Sequence, residues 1–166
     1  MAAREKRMTR AVLDNSSDLL RYFQRRVALD DAPDLLGETL VTAWRRVASL
    51  PEDEQQARMW LFGIARGTLL NHARGERRRW ALVDRVRAVA SVRTAVQGAD
   101  EGAEVRDAIE RLPSDNGELV RLVHWERLTI AEAAQVIGIP ASTARSRYAA
   151  AKDALRTALT AEVGGR

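Results

Sequence analysis

Apolar positions recur along this chain at intervals of three and four residues, and no stretch keeps the period of two that marks a strand. The spacing predicts helices only. Leu19, Leu20, Phe23 and Val27 make the inward stripe of a first helix that can begin after Asn15 or Ser16. Residues 1–14 are then left as a loose basic arm. DDAP at 30–33 breaks the pattern, and a second helix over 33–47 carries Leu36, Leu40, Ala43 and Val47 inward. SLPEDEQQ at 49–56 reads as a polar, acidic loop. A third helix follows from about 57 towards 79, with Ala57, Leu61, Ile64, Ala65, Thr68 and His72 on its inner side. The basic cluster GERRRW closes this first module, 15–80. Residues 81–101, apolar and basic before the polar QGADEG, read as a flexible linker. The second module, 102–162, starts with EVRDAIERL and breaks at Leu112 and Pro113. It resumes as a helix capped by Ser114, with Leu119, Leu122 and Val123 inward.

The most informative stretch is LTIAEAAQVIGIPASTARSRYAAAKDAL at 128–155. Thr129 and Glu132 have the spacing of a capping box, so a helix should start there. Ile130, Ala133, Ala134 and Ile137 fall on one face, and Gly138 can take the left-handed conformation that ends a helix. Pro140 suits the first turn of the next helix. That helix sets Ala144, Tyr148, Ala151 and Leu155 on one side. The other side carries Ser142, Ser146 and Ala149, flanked by Thr143, Arg145 and Arg147. A helical hairpin with arginines outside also occurs in bundles that never meet DNA. A solvated face is usually filled with long Glu and Lys chains, however. The short hydroxylic side chains here leave room for base edges, as a helix-turn-helix in the major groove requires.

Composition narrows the function without naming it. The 166 residues are 46% apolar and 30% charged, with few glycines and prolines, which favours an all-α protein of one domain or two small ones. Net charge is +4, and apart from Lys6 and Lys152 every basic side chain is Arg, whose planar fork suits phosphate and guanine. There is no Cys, so neither a disulfide framework nor a thiolate metal site is available. His72 and His124 stand alone and read as surface or half-buried helix residues rather than as ligands or bases. No nucleophile-and-base constellation, phosphate loop or metal cluster is present, so no catalytic residue, metal or cofactor is expected and the protein is read as no enzyme. The basic N-terminus lacks the apolar core of a signal peptide. No run reaches the roughly 18 apolar residues of a membrane span. The expected location is the cytoplasm.

Two further stripes need a reason. Asp34, Glu38, Val41 and Arg45 line the outer side of the second helix, acidic first, then apolar, then basic. A docking surface and an ordinary solvated face explain them equally well. On the third helix Trp60, Gly67, Asn71, Arg74 and Arg78 fall in line. Aromatic stacking and arginine–phosphate contacts are the means of holding single-stranded nucleic acid, while the competing reading makes Trp60 simply part of the core.

Taken in order, DDAPDLLGETLVTAW, ARMWLFGIARGTLLNHARGERRR, RLPSDNGELVRLVHWERLTIAEAAQVIG and IPASTARSRYAAAKDAL resemble the extracytoplasmic-function class of bacterial sigma factors, over 18–79 and 105–159. The resemblance implies two small helical domains joined by a flexible linker, the C-terminal one a helix-turn-helix. It implies a dissociable subunit that directs core RNA polymerase to promoter DNA. Asp34, Glu38, Val41 and Arg45 would meet the clamp helices of the polymerase largest subunit, and the second domain the flap of the second-largest. Trp60, Arg66, Asn71, Arg74, Arg77 and Arg78, with the loop before them, would open and read the −10 element. Ser142, Thr143, Arg145, Ser146 and Arg147 would read the −35 duplex. An anti-sigma protein is the implied regulator, and the free chain is expected to be a monomer. Departures fall at Gly37, where the family often has Gln, at Gly67 (Asn), at Asn71 (Asp) and at Ser142 (Gly). The rival is a stand-alone helix-turn-helix regulator, which would need dimer symmetry to reach two half-sites.

Overall fold

The computed structural model describes residues 1–87 and 102–163, and every regular element in them is helical. They fall into two compact units, one on either side of residues 88–101.

The first unit begins with α1, Ala2–Gln24. Where a loose arm is expected from the sequence, the chain is already helical, and Met8 is 0% exposed. The inward stripe runs back from Phe23, Tyr22 and Leu19 through Asn15 to Met8. Residues that look like caps are spent inside the helix instead. The Asn15 amide donates to the Ala11 carbonyl at 2.8 Å and the Ser16 hydroxyl to that of Val12. Such back-bonding satisfies a short polar side chain without ending the helix.

Asp31 precedes α2, Ala32–Arg45, with Pro33 in the first turn, where a missing N–H costs nothing. Its buried positions are Ala32, Leu35, Thr39 and Ala43, so the inner stripe is turned by about one residue from the predicted Leu36 and Leu40, which are only half-buried. The buried Thr39 is accommodated by local bonding. The Thr39 hydroxyl lies 2.7 Å from the Leu35 carbonyl and 3.3 Å from the Thr68 hydroxyl, which donates to the Ile64 carbonyl at 3.2 Å. Val47 lies beyond α2, in the short 3-10 turn Val47–Ser49.

The long helix α3 spans Glu54–Arg87. Asp53 caps it, its carboxylate accepting the Gln56 N–H at 2.8 Å. Leu61, Ile64, Ala65 and Thr68 are buried as the spacing predicts, together with Met59 and Phe62. Phe62 meets the edge of Tyr22 at 5.6 Å between centroids, and Tyr22 meets Phe23 at 5.3 Å. Arg58 ties α3 to α1, donating to Asn15 and Asp18 at 2.8 Å each while lying over the Phe62 ring. The helix does not stop at 80. It runs to Arg87 through residues predicted as linker, since no Gly or Pro after Gly75 interrupts a run of good helix formers. The rest of the predicted linker, 88–101, lies outside the described residues.

The second unit contains α4 (Ala103–Glu110), α5 (Ser114–His124), α6 (Ile130–Ile137) and α7 (Ala141–Val163). Ser114 is the first helical residue of α5 rather than its cap; that place falls to Pro113, whose carbonyl accepts the Gly117 N–H at 3.0 Å. Gly117 is where the α4 end meets α5, and a Cβ there would stand 3.0 Å from the Ile109 carbonyl. Arg127 turns the chain towards α6 with φ 56°, and Leu128 donates back to the Leu122 carbonyl at 3.0 Å.

Candidate nucleic-acid interfaces

The helix-turn-helix is assembled by local chemistry. The Thr129 hydroxyl accepts the Glu132 N–H, and the Glu132 carboxylate accepts the Thr129 N–H, each at 3.1 Å. Gly138 closes α6 with φ 84°, and the Gly138 and Ile139 N–H groups both donate to the Ala134 carbonyl. Pro140 stands one place before α7, its carbonyl accepting the Ala144 N–H at 3.0 Å. Ala144 and Ala151 are fully buried, while Tyr148 and Leu155 pack on Ile109 and Val120. This anchoring turns Ser142, Arg145, Ser146 and Ala149 to solvent. Thr143 and Arg147 are half-buried, and Arg147 is engaged by Asp115 of α5 at 3.2 Å. Tyr148 also meets the otherwise solitary His124, hydroxyl to Nε2, at 2.8 Å. His124 itself is exposed, so this is a surface contact.

In the first unit, Asn71, Arg74, Arg77 and Arg78 line one open groove of about 530 Å³ with Ala81. Arg74 donates to the Asn71 side-chain oxygen at 3.0 Å, so the amide and the guanidinium are positioned as a pair. Trp60 and Arg66 lie further back on α3, half-buried and outside the groove lining. Trp60 is thus neither wholly core nor wholly a free platform. Gly67 is exposed with open space where a Cβ would stand. His72 lies 3.8 Å from Asp31 and is mostly covered, a structural position. From α1, Arg7 reaches Glu52 in the loop before α3 at 3.6 Å and Arg10 reaches Glu54 in the first turn of α3 at 3.5 Å, around a hollow of about 370 Å³. Sequence reasoning missed these pairs because it assigned both arginines to a free arm.

On α2, Asp34, Glu38, Val41 and Arg45 are all exposed. Trp44, which the outer stripe predicted from sequence leaves out, adds to them: it is 40% exposed beside Val41 at 50%. Val41 and Trp44 thus form a small exposed apolar pair on an otherwise charged face. Among the described residues no group of three or more His, Asp or Glu side chains could hold a metal ion. No helix among them is long and apolar enough to cross a membrane.

One all-helical unit holds a helix-turn-helix and the other a groove lined by Asn71 and three arginines. Comparison with known proteins gives the class its name. The family model described as sigma-70 region 2 matches residues 11–79 and that described as sigma-70, region 4 matches 102–155. The ECF RNA polymerase sigma factor SigC of Mycobacterium tuberculosis is 33% identical over 83% of this chain and 75% of its own. SigL of the same species is 27% identical over 95% of this chain and 92% of its own. The chain belongs to the extracytoplasmic-function class of sigma-70 RNA polymerase sigma factors, and its function is promoter-specific transcription initiation. Two solved structures share the fold. The sigma factor RpoE of Bartonella quintana, in complex with the anti-sigma factor NepR, has a TM-score of 0.65 at 23% identity, covering 93% of this chain and 98% of that one. CnrH, in complex with the cytosolic domain of CnrY, has a TM-score of 0.64 at 19% identity over 95% of this chain and 90% of that one.

Proposed function

We propose that the chain binds core RNA polymerase and reads two promoter elements with its two units, contributing binding energy and no covalent chemistry. The outer face of α2 — Asp34, Glu38, Val41 and Arg45, with Trp44 — docks on the clamp helices of the largest subunit, and the second unit reaches the flap of the second-largest. Ser142, Thr143, Arg145, Ser146 and Arg147 meet the −35 duplex in the major groove, where Arg can grip guanine and short hydroxylic chains let the helix sit close. Trp60, Arg66, Asn71, Arg74, Arg77 and Arg78 hold the melted −10 strand. The protein works in the cytoplasm, is a monomer when free, and is held inactive by an anti-sigma partner. The supporting observation is the pairing, in one chain, of a helix-turn-helix whose outer face is small and hydroxylic with a groove lined by Asn71 and three arginines.

The test is in vitro transcription by core polymerase over a pool of genomic promoters. Added protein should start transcripts at a distinct set of sites sharing two spaced elements. If no start site depends on the added chain, the proposal fails. Specific duplex binding by the pure protein as a dimer would favour the stand-alone regulator instead.

A further inference from the structure

Arg147 belongs to the proposed −35 surface, yet its guanidinium is already engaged. One Nη donates to a carboxylate oxygen of Asp115, 3.2 Å away and 32 residues earlier, in the first turn of α5. The side chains of Arg147 and Asp115 are 41% and 42% exposed, so the pair is at the surface and not part of the core. A guanidinium has five N–H donors in a fixed plane. One bond to Asp115 therefore leaves donors for a base edge or a phosphate, while the neighbouring negative charge offsets the pull of any phosphate on Arg147.

That offset matters because phosphate attraction is blind to sequence, whereas a directed bond to a base edge is not. We propose that Asp115, on α5 outside the helix-turn-helix, is a specificity-determining residue, which through Arg147 suppresses sequence-independent phosphate binding and fixes the plane in which the guanidinium meets DNA. The inference rests on the reading of Arg147 as a −35 contact. It predicts an effect of unusual sign: removing an acidic residue that touches no DNA should strengthen binding to the wrong sequence and weaken discrimination.

The experiment uses full-length protein assembled with core polymerase, on a promoter recovered by the transcription screen and on the same fragment with its −35 element scrambled. Closed-complex affinity is measured across a salt series for wild type, Asp115→Asn, Asp115→Glu, Arg147→Ala and the Asp115→Asn/Arg147→Ala double variant. Asp115→Asn should raise affinity for the scrambled fragment several-fold. One gained phosphate contact should steepen its salt dependence by about 0.9 in log K against log salt. The ratio of intact to scrambled affinity should fall, and Asp115→Glu, which keeps the charge, should restore most of it. In the Arg147→Ala background, Asp115→Asn should change neither affinity, because the effect travels through Arg147.

Three results would overturn the proposal. If Asp115→Asn raises affinity equally in the Arg147→Ala background, the carboxylate acts only as a general repulsive charge. If it weakens both fragments alike with a lower thermal midpoint, the pair is a structural clasp. If Arg147→Ala leaves both affinities untouched, the underlying assignment of Arg147 fails too, and that outcome is read separately from the Asp115 result.

Discussion

Gly67 isolates one side-chain question cleanly. It lies exposed in the middle of α3, a Cβ there would meet nothing within 4 Å, and glycine is a poor helix former. Within the protein alone, Gly67→Ala should stabilise the first unit by roughly 0.5–1 kcal/mol, read as a higher denaturation midpoint. If the melted strand lies against this turn of α3, the same variant should form fewer open complexes despite its greater stability. Unchanged permanganate reactivity at −10 would place the strand elsewhere. Gly117 is the opposite case, since its missing Cβ is filled by the Ile109 carbonyl. Thr129 and Glu132 were legible at this scale because both partners of a capping box lie within one turn. The Arg147–Asp115 pair was not, because no local rule links positions 32 residues apart.

At the scale of elements, α1 carries the largest difference from expectation. The basic opening resembles a solvated tail, yet Met8 closes the core, and Arg7 and Arg10 pair with Glu52 and Glu54 just ahead of and at the start of α3. Met8→Ala should therefore cost about 2–5 kcal/mol in urea denaturation, as for a fully buried methionine. A change within 0.5 kcal/mol would return residues 1–14 to the status of a tail, surface sites commonly giving shifts of about that size. The turn of α2 by one residue has a similar origin. Leu35 and Leu36 offer equally periodic stripes, and the Leu35 stripe is the one buried, with Thr39 closing its hydroxyl onto the Leu35 carbonyl. That same turn leaves Asp34, Glu38, Val41 and Trp44 facing outward. Reversing charge with Asp34→Arg and Glu38→Arg should abolish polymerase capture in a pull-down while circular dichroism stays unchanged. Retained capture would move the docking face off α2.

For the whole molecule, the proposed function needs two units joined in one chain. Linking two weak binding modules turns the second contact into an intramolecular event, so neither has to bind tightly alone. The isolated protein should thus show little sequence-specific binding in a gel shift at physiological salt, and tight binding should appear once core polymerase is added. Equal affinity with and without polymerase would contradict this division of labour.

What the sequence by itself determined was whatever depends on neighbours within a turn or two: an all-helical fold, the capping box, the Gly138 end of α6, the buried face of α7 and the family to which these motifs belong. Tertiary structure alone decided where α1 begins, which face of α2 is buried and which arginines are already engaged by acids. The physical reason is range. Helix periodicity and caps are short-range properties written in consecutive residues, while burial and ion pairing depend on partners that folding brings from far along the chain.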